Sequence, residues 1–253
     1  MKYDGIVTTT TPVFELTPYQ VTLMQPQADP FIAPICHEQI TILYADEHLL
    51  LINKPGGLLT LSGKHPLNKD SVHFRLVKDY PTATMIHRLD FGTSGILIIA
   101  LNKQVNAQLT KQFQARSVAK TYTAVLHGHL PEDSGSIDLP IAKGDFPLQK
   151  ICQQTGKAAL THYQVIERLS RADVTDATAD NLTTRVLFKP LSGRTHQLRI
   201  HSREIGHPIL GCDLYATDKA FAMAERLMLH ATSIEFDHPV TGARIKGVSP
   251  CPF

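Results

Sequence analysis

The segment His87-Arg-Leu-Asp-Phe-Gly-Thr-Ser-Gly95 gathers an imidazole, a guanidinium, a carboxylate and two hydroxyls directly ahead of the apolar run Ile96–Leu101. An aspartate delivered by a glycine-bearing turn against the end of a buried strand is held rigidly, as a nucleophile or base requires. Asp90 is that candidate, although a turn whose aspartate caps backbone amides uses the same residue types. A second cluster is Ser192-Gly-Arg-Thr-His-Gln-Leu-Arg-Ile-His201. From Arg185 to Arg203 the chain carries Arg185, Lys189, Arg194, Arg199 and Arg203 and no acid, a strip suited to phosphates. In a helix, Arg199 points away from Arg194, Leu198 and His201, so one arginine can reach inward while others face solvent. A solvated basic face is the plainer alternative. The third cluster, Lys120-Thr-Tyr122, follows Lys103, Lys111 and Arg116, again without an acid from residue 102 onward. A tyrosine at a strand start can stack on a base and present its phenol, or be half-buried core with a wet hydroxyl.

Other chemistries find less support. The 13 histidines include His196, His201 and His207, but no HExxH or related spacing, so no metal site is expected. Gly92-Thr-Ser-Gly95 is not a GxSxG elbow, and no glycine-rich run matches a phosphate loop or a dinucleotide fingerprint. Four scattered cysteines, Cys36, Cys152, Cys212 and Cys251, form no CxxC pair and suggest neither a disulfide framework nor a zinc ribbon. No apolar run approaches the roughly 20 residues of a membrane span, and the N-terminus has no signal-peptide pattern. The expectation is a soluble protein of a reducing, cytoplasmic compartment. A formal net charge of +2 does not by itself announce a nucleic-acid partner; the two basic strips do.

The elements that would position these groups follow from pattern. Ile40–Tyr44 and Leu49–Ile52 are apolar runs around Asp46, Glu47 and His48, a hairpin, which Asn53-Lys-Pro-Gly-Gly57 then breaks. Residues 71–77 read as a short helix, and 96–101 as a strand buried on both faces. Val105, Leu109 and Phe113 give 102–116 an amphipathic helical stripe. Strands are expected over 121–126, 160–169 and 183–188, helices from Gln197 and over 219–227, and a closing hairpin at 233–236 and 244–248. Strands outnumber helices without βαβ alternation, so the class is α+β with a mixed, mostly antiparallel sheet. Residues 1–39, rich in proline and threonine, form an N-terminal arm or extension, and 40–253 one catalytic domain.

With NKPGGL at 53–58, HRLDFGTSG at 87–95, KTYTA at 120–124, GRTHQLRIH at 193–201 and RLMLHA at 226–231, the chain resembles the RluA family of RNA pseudouridine synthases. The motifs stand in the family's order from about residue 40 to the end, with no S4-type module ahead of them. The resemblance implies a single mixed sheet with a central active-site cleft. It makes Asp90 the catalytic aspartate, Tyr122 the tyrosine that stacks on the target base and removes its C5 proton, and Arg199 the arginine paired with the aspartate. Arg88 becomes the residue that enters the space left by a flipped base. His87, Thr93, Lys120, Arg194, His196 and Gln197 fall in the same motifs as RNA-binding or base-flipping candidates. The implied reaction converts uridine to pseudouridine in structured RNA, a 23S rRNA stem-loop and a tRNA anticodon stem-loop, with no cofactor and no metal, by a monomer. Three features depart from the pattern: Phe91-Gly92 after the aspartate, where a bulky ring would alter the pocket wall, a short 143–150 segment, and a long loop at 170–181.

Overall fold

A computed structural model describes residues 31–170 and 182–253 of the chain. The first hairpin is β1 (Thr41–Ala45) and β2 (Leu49–Lys54), closed by Asp46, whose Oδ1 accepts from the His48 and Leu49 amides. A short helix, α1 (Val72–Leu76), starts at Ser71, whose hydroxyl accepts from Phe74 N. Then come β3 (Thr84–Met85) and β4 (Ser94–Ala100), the latter buried throughout, as a strand interior to the sheet must be. Asn102 caps α2 (Lys103–Gln114), whose Val105 and Leu109 face the core. The second half holds β5 (Ala119–His127), β6 (Ser134–Asp138), β7 (Ile141–Lys143), β8 (Gln149–Ile151), β9 (Leu160–Ser170) and β10 (Leu182–Pro190). It ends with α3 (Gln197–Glu204), α4 (Asp218–Ala222), β11 (Leu229–Asp237) and β12 (Arg244–Val248).

Ten strands form one sheet in the order β1-β2-β4-β11-β5-β10-β9-β6, with β3 also on β4 and β12 also on β11. The hairpin β7-β8 stands apart. Among the described residues only β4 and β11 run parallel, over His230↔Ser94 and Ala231↔Gly95. This junction joins two antiparallel halves, each with its own core. Leu50, Ile52, Ile96, Ile98 and Phe236 belong to one core, and Leu126, Val186, Phe188, Ile200 and Ile209 to the other. Tyr122 packs against both. The close approach at the junction requires a glycine at 95. Its φ is +117°, and a Cβ there would sit 2.3 Å from the Ala231 carbonyl oxygen.

The α+β class and the antiparallel bias are as the pattern indicates. The helix expected over 219–227 is shorter, ending at Ala222, because the following backbone packs on Gly211, where a Cβ would meet the Arg226 carbonyl. The strands β3, β6, β7 and β8 were not expected; each is short and lacks an apolar alternation. Of the N-terminal arm, residues 31–39 run without helix or strand and are tied to the domain. Asn68 bonds both Phe31 O and Ala33 N, and Arg75 donates to Cys36 O and Glu38 O. The rest of the arm and most of the 170–181 loop lie outside the described residues.

Candidate active site

A cleft of about 300 Å³ opens between the two halves of the sheet. Every residue to which the family resemblance gave a role lines it: His87, Arg88, Asp90 and Thr93 from the loop before β4, Lys120 and Tyr122 from β5, and Arg194, His196, Gln197 and Arg199 from α3 and its approach. Asp90 is the one carboxylate among the lining residues.

The backbone around Asp90 is clamped on both sides. On one, the Thr60 hydroxyl donates to Leu89 O (2.8 Å) and accepts from Leu89 N (3.3 Å). On the other, Phe91 O accepts from Gly57 N at 3.0 Å and from Lys54 Nζ at 3.2 Å. Lys54 is fully buried, and its ammonium also donates to Pro55 O and Leu58 O, so all three of its protons meet carbonyls. Burial brings its pKa down to about 7, against a smaller opposing pull from Cys36 and Asp90. The residues 53–58 are thus a scaffold under the aspartate. Sequence reasoning quoted the segment without assigning it chemistry, and Thr60 carried no signal at all. The Phe91 ring does not enter the cleft, contrary to the expectation that it alters the wall. It stacks edge-on against Phe31, 5.4 Å between centroids.

Arg199, 4% exposed, projects from α3 with Nη1 3.7 Å from Asp90 Oδ2. Its Nη2 bonds Asp213, its Nε donates to Cys212 Sγ at 3.3 Å, and its plane lies 5.4 Å from the Tyr215 ring centroid. Burial opposes its charge, but Cys212, Asp90 and Asp213 outweigh that, and its pKa stays above the ordinary arginine value. His196 Nε2 stands 4.0 Å from the same Asp90 oxygen. His196 is also the N-cap of α3, in the left-handed region at φ 56° and ψ 18°, a conformation that costs a non-glycine residue about 1–2 kcal/mol. Tyr122 is half-buried, and burial, with the charge of Asp90 adding, raises its pKa further. It is a neutral phenol at neutral pH.

Two of the lining residues have side-chain polar atoms bonded to the protein, and a third is tied through its backbone. His87 Nε2 accepts from Ile98 N at 3.1 Å while its ring stacks on Phe113, and burial, then Lys120, lowers its pKa to about 3. Gln197 accepts from Ser192 Oγ and Arg194 N and donates to Leu160 O and Thr161 Oγ1, which fills all four positions of its amide. Thr93 is buried and its amide donates to Asp90 O. Arg88 is exposed at the cleft rim, and Lys120 has its pKa lowered by burial. The strip 185–203 is not one surface. Arg199 is turned inward, Arg185 faces Glu167, Arg203 pairs with Glu204 and Lys189 is exposed, which leaves Arg194 on the cleft.

A single carboxylate between an arginine and a histidine, facing a tyrosine in a cleft rimmed with cations, suits attack on a sugar carbon within an anionic polymer. The sequence model of the family described as RNA pseudouridylate synthase matches residues 48–204, and the chain belongs to that family. Its relatives named dual-specificity RNA pseudouridine synthase RluA place it among the RluA-type enzymes. The Yersinia pestis protein is 47% identical over 203 residues, which cover 79% of this chain and 94% of that one. The Escherichia coli K12 protein is 43% identical over 216 residues, 85% and 94% of the two chains. Among solved structures, human RNA pseudouridylate synthase domain containing 1 superposes with a TM-score of 0.71 at 30% identity, covering 87% of this chain and 86% of that one. The protein is therefore an RNA pseudouridine synthase, an isomerase acting on RNA. Among the described residues no helix is long and apolar enough to cross a membrane.

Proposed function

We propose that the cleft isomerises uridines in stem-loop RNA, a 23S rRNA hairpin and a tRNA anticodon loop, with Asp90 as the catalytic carboxylate. The observation that carries this is that Asp90 is the one carboxylate lining the cleft. Glycoside hydrolysis generally employs two, one of them to protonate the leaving oxygen. Uracil leaves as a delocalised anion and needs no such acid. Breaking C1′–N1 sends the bonding pair to the base. Asp90 then either bonds C1′, or takes the C2′ proton to leave a glycal. The held base turns and C5 bonds C1′, which releases the Asp90 carboxylate in the first route and returns the Asp90 proton to C2′ in the second; the C5 proton then departs and N1 gains one, so the atoms balance as an isomerisation.

The other groups follow from their positions. The Arg199 guanidinium complements the carboxylate charge. Tyr122 stacks on the base as a neutral phenol and relays the C5 proton, its oxygen accepting that proton while its own hydroxyl proton passes to water, at a stage when loss of the C5 proton restores the conjugated ring. A uridine in a stacked loop must leave the stack to reach Asp90, and the exposed Arg88 fills the vacated space. Residues 40–253 act as the catalytic domain, with the arm outside the chemistry, in the cytoplasm. The test is tritium release from stem-loop RNA labelled at uridine C5. Asp90→Asn is expected to abolish release while RNA binding persists; turnover by this variant would overturn the assignment, and free uracil in the products would point to hydrolysis instead.

A further inference from the structure

His196 and Tyr215 form a connected pair that the reaction as described does not use. The Tyr215 hydroxyl oxygen accepts from Gln149 N at 2.8 Å and lies 2.9 Å from His196 Nδ1. Gln149 begins β8, so the amide comes from the separate β7-β8 hairpin. A phenol has one proton to give, and with an amide donating to its oxygen the acceptor in reach is His196 Nδ1. When the phenol gives its proton to Nδ1, the imidazole proton sits on Nε2, the nitrogen 4.0 Å from Asp90 Oδ2. The left-handed backbone at His196 aims the ring this way at a local conformational cost, and the Tyr215 ring is itself held edge-on to the imidazole, 5.6 Å between centroids, under Arg199 and Arg203.

We propose that His196 is a positioning residue for Asp90, held by Tyr215 in the tautomer that turns an N–H toward the carboxylate, and that the β7-β8 hairpin is coupled to the catalytic aspartate through this relay. The inference rests on Asp90 as the catalytic group. At 4.0 Å the last link is longer than a hydrogen bond, and it closes to one when RNA orders the cleft. Arg199 supplies the permanent charge beside Asp90, and the neutral imidazole supplies a second donor, directed at one oxygen, that leaves the other for C1′ or its neighbour. The groups facing His196 are Asp90, Arg199, Asp213, Arg88 and Tyr215. Burial foremost, with Arg199 and Arg88, lowers the His196 pKa against Asp90 and Asp213, so the ring is neutral at neutral pH.

The test combines long-range proton–nitrogen NMR of histidine-labelled protein with steady-state kinetics on stem-loop RNA. His196 signals are assigned by their loss in His196→Gln. In the unmodified protein His196 is expected as the Nε2–H tautomer, and in Tyr215→Phe, which keeps the ring over Arg199, as a mixture. Tyr215→Phe is expected to lower kcat about tenfold, the scale of one lost hydrogen bond, with KM for RNA nearly unchanged. An Nδ1–H tautomer in the unmodified protein, or an unchanged kcat in Tyr215→Phe, would overturn the relay. So would a Tyr215→Phe defect confined to KM. Asp90→Asn separates the two readings: it is expected to be inactive yet to keep the Nε2–H signature, and turnover by it would sink the catalytic role of Asp90 while leaving the tautomer measurement standing.

Discussion

Replacing Lys54 with methionine tests whether a buried cation holds the loop that carries Asp90. Methionine keeps the unbranched apolar stem but removes three donors, from Pro55 O, Leu58 O and Phe91 O. Leaving each carbonyl one partner short costs about 1–3 kcal/mol. Against this stands the cost of keeping an ammonium in the core. A fall in pKa from 10.5 to about 7 corresponds to about 5 kcal/mol at about 1.36 kcal/mol per tenfold. The two are comparable, so stability at pH 7 should change by only a few kcal/mol. The pH dependence is the sharper readout. Because the folded pKa lies below the unfolded one, the unfolded chain holds the proton that the folded chain releases above pH 7, and Lys54 makes the native state more stable as pH rises through that window. From pH 7 to 9 the advantage of the unmodified protein over Lys54→Met should grow by about 2 kcal/mol. Urea unfolding of both proteins at pH 7, 8 and 9 measures it. A difference that stays flat or shrinks with pH would refute the reasoning. The Phe91 carbonyl, left with Gly57 N as its donor, should also hold the aspartate loop less firmly and lower kcat for tritium release about tenfold.

Two further outcomes are expected. Gly95→Ala forces a Cβ into the Ala231 backbone at a φ of +117°, so it should destabilise by about 3–5 kcal/mol and lower the melting temperature by about 10 °C; thermal denaturation within about 2 °C of the unmodified protein, the shift of roughly one kcal/mol, would mean the junction is looser than described. For RNA binding, Arg88, Lys120 and Arg194 are the cations that line the cleft beside the paired Arg199, so affinity for a stem-loop should fall with salt at a log–log slope of about −3, and Arg88→Ala should flatten it by nearly one. A slope near zero would remove the phosphate role, and one near −8 would mean that both basic strips engage in full.

Much of the site was legible because its residues are clustered in sequence. Asp90, Arg199 and Tyr122 fall in three short motifs, and each motif ends at or begins an element legible in the sequence: the all-buried β4, the helix α3 that opens at Gln197, and the strand β5. What was illegible lies across the chain. Thr60 clamps Leu89 over 29 positions, and Lys54 reaches Phe91 over 37. A hydroxyl that serves a distant backbone leaves no local periodicity, and a lysine in a sequence reads as surface until its three carbonyls are in view. The basic strip misled for the same reason in reverse. Five cations without a local acid looked like one surface, but Glu167 from β9 and Asp90 and Asp213 from two loops supply the missing charges. The helix drawn over 219–227 failed because Gly211 and Ser94 compete for its last turn: the Arg226 backbone packs on the first, and its guanidinium donates to the second at 2.6 Å.

The location of the cleft follows from the one parallel pairing. Two antiparallel half-sheets can each close a core, but β4 and β11 share only two residue pairs before their paths separate. A crevice opens where the strands part, lined by whatever precedes β4 on one side and by β5 and α3 on the other. Asp90 comes from the first half, and Tyr122, His196 and Arg199 from the second, so the catalytic geometry is set by the docking of the halves rather than by either alone. Tyr122, which packs into both cores, ties that docking to the surface proposed to stack on the base. An unpaired carboxylate in this position would face a desolvated cleft with no compensation; a fully hydrogen-bonded one would be a poor nucleophile. Arg199 at 3.7 Å offsets the charge, and the neutral His196 at 4.0 Å faces the same oxygen, Oδ2, so both lie on one side of the carboxylate and leave Oδ1 open. The firm hydrogen bonds go instead to the backbone on either side of Asp90, where they fix its position without blocking the atom that must react.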